Sequence, residues 1–228
     1  MPVMSSQTSP GEVLKAVEHL PAGALLVIHG FSWDDYENLL EELGDSFHAR
    51  VSYDSGNLEI LSPSGLHGNY EWFINLFVYE FCRALNLKLH GFGHTTWRKK
   101  SAAKGVEADA CFYVRTPVTG RKDFSLEMGP PPDICVEVDI TRNSLKKLSI
   151  YAALGVPEVW IYDETTFRFY ALSEGKYSVI EESNFLPGLT GLLLAEAMED
   201  GKEGDPMDVL KGFRDRVQKL DSRRSRHK

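Results

Sequence analysis

The run DICVEVDITRNSLKKLSIYAALGVPEVWIYD, residues 133–163, restricts the fold more than any other stretch of the chain. Its opening DICVEVDIT alternates and is rich in β-branched side chains, which predicts a strand. NSLKKLSIYAALG has helical spacing with Gly155 as its stop, and PEVWIYD is strand-like again. Strand, short helix and strand in that order predict a crossover, with the two strands as parallel neighbours in a mixed α/β sheet.

The segments on either side supply further elements. In FSWDDYENLLEELGD, Ser32 is a candidate N-cap, Asp34, Asp35 and Glu37 suit the first turns, and Gly44 follows the end. ARVSYDSGNLEILSP predicts two strands around a turn at 54–57, closed by Pro63. Residues 69–85, NYEWFINLFVYEFCRAL, predict a long buried helix in which Glu71 and Glu80 are exceptions. Trp72, Phe73, Phe77 and Phe81 recur there at helical spacing and read as core. LKLHGFGHTTW reads as one strand with a glycine bulge, VEADACFYV as another, and TFRFYAL with KYSVI as a hairpin. Residues 1–24 read as a loose leader, 25–200 as one domain, and 201–228 as a charged, basic tail.

With 228 residues, 43% hydrophobic and 25% charged, the chain can bury one substantial core and is neither disordered nor fibrous. No apolar run nears the roughly 18 residues of a spanning helix, and the start MPVMSSQTSPGEV lacks an export pattern. Cys82, Cys111 and Cys135 have neither an even count nor CxxC spacing, which argues against a disulfide framework or a structural zinc site. A reducing, cytoplasmic location is the expectation. From Lys211 onward eight Lys or Arg face only Asp215 and Asp221, so this tail carries +6 of a total of -8 and leaves -14 on the body. Such a body disfavours tight nonspecific nucleic-acid binding through bulk charge, while a nuclease still needs carboxylates to hold metal.

Residue parity sorts the two clearest strands into faces. Ile134, Val136, Val138 and Ile140 share one side, and Asp133, Cys135, Glu137 and Asp139 the other. Likewise Ala108, Ala110, Phe112 and Val114 oppose Glu107, Asp109, Cys111 and Tyr113. One account is a sheet with a wet acidic face. The other is a covered face, favoured by the cysteines, on which Asp109 and Glu137 need a cation, a donor or a proton. A magnesium-like ion suits two such carboxylates. Lys147 projects from a partly apolar helical stripe with Ile150, Tyr151 and Leu154, so it is either a snorkelling surface lysine or an inward group that stabilises charge on phosphorus. Lys146 reads as the more exposed of the two.

The stretch PPDICVEVDITRNSLKKLSIYAALGVPEVWIYD resembles the hallmark of the Uma-two family, restriction-endonuclease-like proteins within the PD-(D/E)XK nuclease superfamily. GFSWDDYENLLEELGD, NLEILSPSGLHGNYEW, GVEADACFYV and LPGLT match further family segments in order, so the likeness spans roughly residues 25 to 195. The resemblance implies a restriction-endonuclease-like three-layer α/β core, a mixed β-sheet flanked by helices, with Mg2+ or Mn2+ held between two acids. It assigns Asp109 and Glu137 as metal ligands, Lys147 as the catalytic lysine on the following helix, and Glu71 as a supporting acid. Ala108 stands where the family commonly has Pro, Lys146 where an acid is common, and Asp139 where the superfamily places its strand lysine. His67 is a lesser candidate and reads as a loop residue.

Other chemistries fit poorly. GFGHTTW lacks the last glycine of a dinucleotide fingerprint, GxxxxGK[ST] is missing, and SPSGLHG is no nucleophile elbow, so no organic cofactor is expected. His90 and His94 are separated by two glycines, which argues against a metal-binding helix. The expected function is a Mg-dependent endodeoxyribonuclease acting on DNA, working as a homodimer because a duplex has two strands. The alternative is an inactive nuclease-fold binding or scaffold module, suggested by Asp139 and the acidic body. Carboxylate-pair glycoside hydrolysis needs a separation that sequence does not supply. Arg98, Lys99, Lys100 and Lys104 form a candidate phosphate contact or a solvated loop.

Overall fold

The computed structural model describes residues 3–4, 8–44, 49–93, 95–118, 125–127, 129–140 and 144–225. In chain order the elements are β1 (Val3–Met4), α1 (Pro10–Glu18), β2 (Leu25–His29), α2 (Trp33–Leu43), β3 (Arg50–Asp54), β4 (Asn57–Leu61) and α3 (Gly65–Ala84). They continue as β5 (His90–Phe92), β6 (Thr95–Lys99), β7 (Lys104–Ala108), β8 (Ala110–Tyr113), β9 (Ile134–Val138), α4 (Ser144–Leu154) and β10 (Glu158–Tyr162). The chain closes with β11 (Phe167–Ser173), β12 (Lys176–Ile180), α5 (Gly191–Glu203) and α6 (Pro206–Ser225).

The crossover forms as expected. β9 and β10 pair in parallel with α4 between them in sequence, and β11 and β12 extend the sheet as an antiparallel hairpin. Ser32 caps α2 by accepting from Asp35 N, and Gly56, at φ 94°, turns the chain between β3 and β4. The strands form two sheets rather than one, in the orders β1-β2-β4-β3-β7-β6 and β12-β11-β10-β9-β8-β5. Both are mixed, since β1 also runs parallel to β2.

Three apolar clusters explain the layering. Val13 and Val17 of α1 and Tyr36 and Leu39 of α2 cover Leu26, Ile28, Val51 and Ile60 of the first sheet. On the second sheet, α3, α5 and α6 bury Phe77, Leu194 and Phe213 against Phe112, Val136 and Trp160. Its other face meets Ile150, Tyr151 and Leu154 of α4, which also packs on β7 of the first sheet. The result is a helix–sheet–helix core with a second sheet behind α4.

Several expectations are corrected here. Residues 10–18, read as part of a loose leader, form a helix whose Val13 is fully buried. The tail is also helical, because Val209, Leu210, Phe213 and Val217 repeat at helical spacing and are buried. The glycine-interrupted stretch is not one bulged strand: β5 pairs with β8 and β6 with β7, in different sheets. VEADACFYV likewise divides into β7 and β8, with Asp109 at the corner. Parity therefore breaks there, and Ala108 and Ala110 enter different clusters. Neither face of β9 is in water, since all five of its residues are buried. Trp72 is not core, being 48% exposed, while Phe73, Phe77 and Phe81 are buried. His94 lies outside the described residues. No helix among the described residues is long and apolar enough to cross a membrane.

Candidate active site

The corner at Asp109 is where the two sheets meet. Its amide donates to Val136 O at 3.1 Å, and its Oδ2 accepts from Val138 N at 2.7 Å, so the side chain replaces a strand partner for β9. Because Ala110 pairs with Val136, Asp109 stands beside Glu137 in register. Both carboxylates are buried, at 2% and 1% exposure.

α4 brings two groups to Glu137. Lys147 and Tyr151 lie four residues apart on one helical face. Lys147 Nζ is 2.6 Å from Glu137 Oε2, and Tyr151 OH donates to Oε1. Both oxygens of Glu137 are thereby engaged. Burial disfavours a charged lysine, but the charges of Glu137 and Asp109 outweigh it and raise the Lys147 pKa. The Glu137 pKa is raised by burial, with Lys147 opposing. Lys146 is exposed, as the helical spacing predicts.

The start of α3 supplies the opposite side. Ser64 caps the helix by accepting from His67 N at 3.3 Å, which places His67 in the first turn and Glu71 one turn on. His67 is thus a buried helical residue rather than a loop residue, with Nε2 3.2 Å from Asp109 Oδ2. Glu71 is in the second turn, beyond the first-turn position that the predicted helix start gave it.

Arg50, at the start of β3, joins these parts. Its guanidinium meets Glu71 Oε2 at 3.0 Å, Glu107 Oε1 at 3.3 Å and Asp109 Oδ1 at 3.0 Å. Sequence reasoning missed this residue, whose acids lie 21, 57 and 59 positions away. The available signal was a long cation opening an otherwise buried strand. Tyr151 was noted only as an apolar neighbour, and Glu107 only as a member of the acidic face.

The electrostatics follow from this geometry. Burial pushes Glu71 and Glu107 each up to about 7 against the pull of Arg50. Burial also opposes ionisation of Asp109, yet the hydrogen bond and charge of His67, with Lys147 and Arg50, hold it at about 2. His67 is raised above its ordinary value because Asp109 outweighs its burial. Four carboxylates, Glu71, Glu107, Asp109 and Glu137, thus share two fixed cations, Arg50 and Lys147.

With all four acids ionised and His67 neutral, the forms that metal ligation requires, the group is short of two positive charges, which suits a divalent ion. One ligand atom each from His67, Glu71 and Asp109 lie within 4.8 Å of one another. The two carboxylates suit hard ions such as Mg2+ or Mn2+ and the imidazole softer ones, so the set fits a divalent cation without selecting one. Glu137, expected as the second metal ligand, stands outside this trio and is held by Lys147 and Tyr151. A cleft lined by Arg50, Ser52, Glu59, Glu137, Ser144 and Lys147 opens on the Glu137–Lys147 side, and the trio does not line it.

The remaining acids have local duties. Asp139, in place of a strand lysine, accepts from Ser144 N at 3.3 Å at the start of α4. Asp133 accepts from the amides of Val114, Arg115 and Thr116. Three of the four basic candidates meet acids: Arg98 pairs with Glu37, Lys100 with Asp34 and Lys104 with Asp54.

Comparison with known proteins completes this picture. No curated protein matches the chain. Among solved structures, one described as "a putative nuclease belonging to DUF820 from Anabaena variabilis ATCC 29413" is 15% identical, with a TM-score of 0.44 over 79% of this chain and 97% of that one. Another, "the type IIG restriction endonuclease BpuSI", is 11% identical, with a TM-score of 0.36 over 68% of this chain and 16% of that one. The family model described as "Uma2: Putative restriction endonuclease" matches residues 33–201, most of the chain's length. The chain belongs to the Uma2 family.

Proposed function

We propose that the protein is a divalent-metal-dependent endonuclease that hydrolyses DNA phosphodiester bonds. The observation that carries this reading is the buried convergence of Asp109, Glu137 and Lys147, with Lys147 Nζ 2.6 Å from Glu137. Asp109, with Glu71 and the His67 imidazole in the same ligand group, is proposed to hold the ion, and Glu137, whose oxygens Lys147 and Tyr151 occupy, to orient the lysine beside it. A divalent ion held there would supply Lewis-acid chemistry, activating water and offsetting charge on the attacked phosphate.

The chain's own residues do the rest. Glu137 holds Lys147 protonated at the cleft, where the ammonium stabilises negative charge as it develops on the phosphoryl oxygens. Tyr151 fixes Glu137 from the other oxygen. Burial of the carboxylates excludes bulk water and strengthens each of these interactions. Two strands of a duplex require two such sites, so the proposed working form is a homodimer.

Plasmid nicking tests the reading. Supercoiled DNA with Mg2+ or Mn2+ is relaxed by the wild type and left intact by Asp109→Asn and Glu137→Gln, whose circular dichroism stays native. Equal nicking by wild type and variants, or none by any of them, sinks it.

A further inference from the structure

Arg50 has an arrangement that a simple structural arginine does not need. Three of its nitrogens each face a different carboxylate, from α3, from β7 and from the corner between the sheets. At 5% exposure it has little contact with water, so these acids provide most of its solvation. Two of the three, Glu71 and Asp109, also belong to the trio suited to a divalent ion.

We propose that Arg50 is a positioning residue that serves as the site's built-in counter-ion, holding Glu71 and Asp109 until a divalent ion enters and then yielding them to it. The proposal rests on the divalent-ion reading of the site. An ion bound by those two carboxylates would face the guanidinium across a buried space, where like charges repel strongly. Arginine and ion therefore compete for the same two carboxylates. Glu107 lies outside the trio, so Arg50 keeps one partner when it lets the others go. It already lines the cleft beside Ser52 and Glu59.

Competition makes a prediction opposite to that of a structural role. Removing a scaffold arginine weakens metal binding, whereas removing a competitor strengthens it. Calorimetric titration of the full chain with Mg2+ compares the wild type, Arg50→Gln and Arg50→Lys. The Gln variant is expected to bind roughly 5- to 150-fold tighter, the usual span of coupling between linked binding events. The Lys variant, which keeps the charge but not the fork, falls between.

A second measurement needs no neutral variant. The Arg50 Nε–H resonance, identified by its loss in Arg50→Lys, is expected to shift and exchange faster when wild-type protein is saturated with Mg2+. Equal or weaker binding by Arg50→Gln overturns the proposal, as does a resonance that stays in place at saturation. If no variant and no wild-type sample binds Mg2+ or Mn2+, the divalent-ion reading falls and takes this one with it.

Discussion

At the scale of single residues, the acids differ mainly in what holds them. Glu158 is fully buried, as Asp109 and Glu137 nearly are, but Trp160 Nε1 and Asn184 N satisfy its two oxygens, and no ligand is needed. Glu137 is satisfied by two groups from one helix, and this makes Tyr151 a sensitive position. Tyr151→Phe leaves Glu137 Oε1 without that donor, at a cost of about 1–3 kcal/mol. The urea midpoint should fall with the slope unchanged, and DNA nicking should fall with it. An unaltered midpoint would show that the hydroxyl contributes nothing. The family pattern named Asp109, Glu137 and Lys147 as candidates among the several acids that strand parity offered, and the structure brings the three together. Arg50 was not legible in the sequence, because nothing local to β3 indicates that α3 and β7 close around it.

At the scale of elements, local patterns predicted α2, the β3–β4 hairpin, the β9–α4–β10 crossover and the β11–β12 hairpin, each built from neighbouring residues. What failed were stretches in which one feature masked another. Charge hid the apolar stripe of α6, whose Phe213 is fully buried with its ring tilted against that of Phe77, centroids 4.9 Å apart. Phe213→Ala should cost about 3–5 kcal/mol. At roughly 2–4 °C per kcal/mol for a chain of this size, its melting temperature drops by about 6–20 °C. A solvated tail would leave melting unchanged. The basic residues of α6 also have partners on the body, with Arg214 on Glu80, Arg216 on Asp200 and Arg224 on Glu182. Alternation likewise continued through LKLHGFGHTTW and VEADACFYV while the backbone changed sheets. A pattern of period two describes side-chain direction and carries no information about which strand lies alongside.

At the scale of the whole molecule, the charge surplus at the site ties stability to pH. Glu71 and Glu107 have folded values of about 7, above the ordinary 4.5, so folding favours their protonated forms. Their contribution is complete below about pH 4.5 and is lost as pH rises through 7. His67, also raised, acts in the same sense. Asp109, held at about 2 against an ordinary 3.8, contributes above that ordinary value and loses its contribution only as pH falls through 2. In the presence of a chelator, the melting temperature is expected to decline between about pH 5 and pH 8, and saturating Mg2+ at pH 8 to restore it. A melting temperature that rises over that interval contradicts this assignment. The sequence by itself determined the local elements and the mixed α/β class, because periodicity and capping act over a few neighbouring positions, and the family pattern rather than periodicity named Asp109, Glu137 and Lys147 as candidates. Only the tertiary structure decided that two sheets meet at Asp109, that both faces of β9 are covered and that Arg50 stands among three acids. Those facts depend on contacts between residues tens of positions apart, which chain closure and burial select together and no short window records.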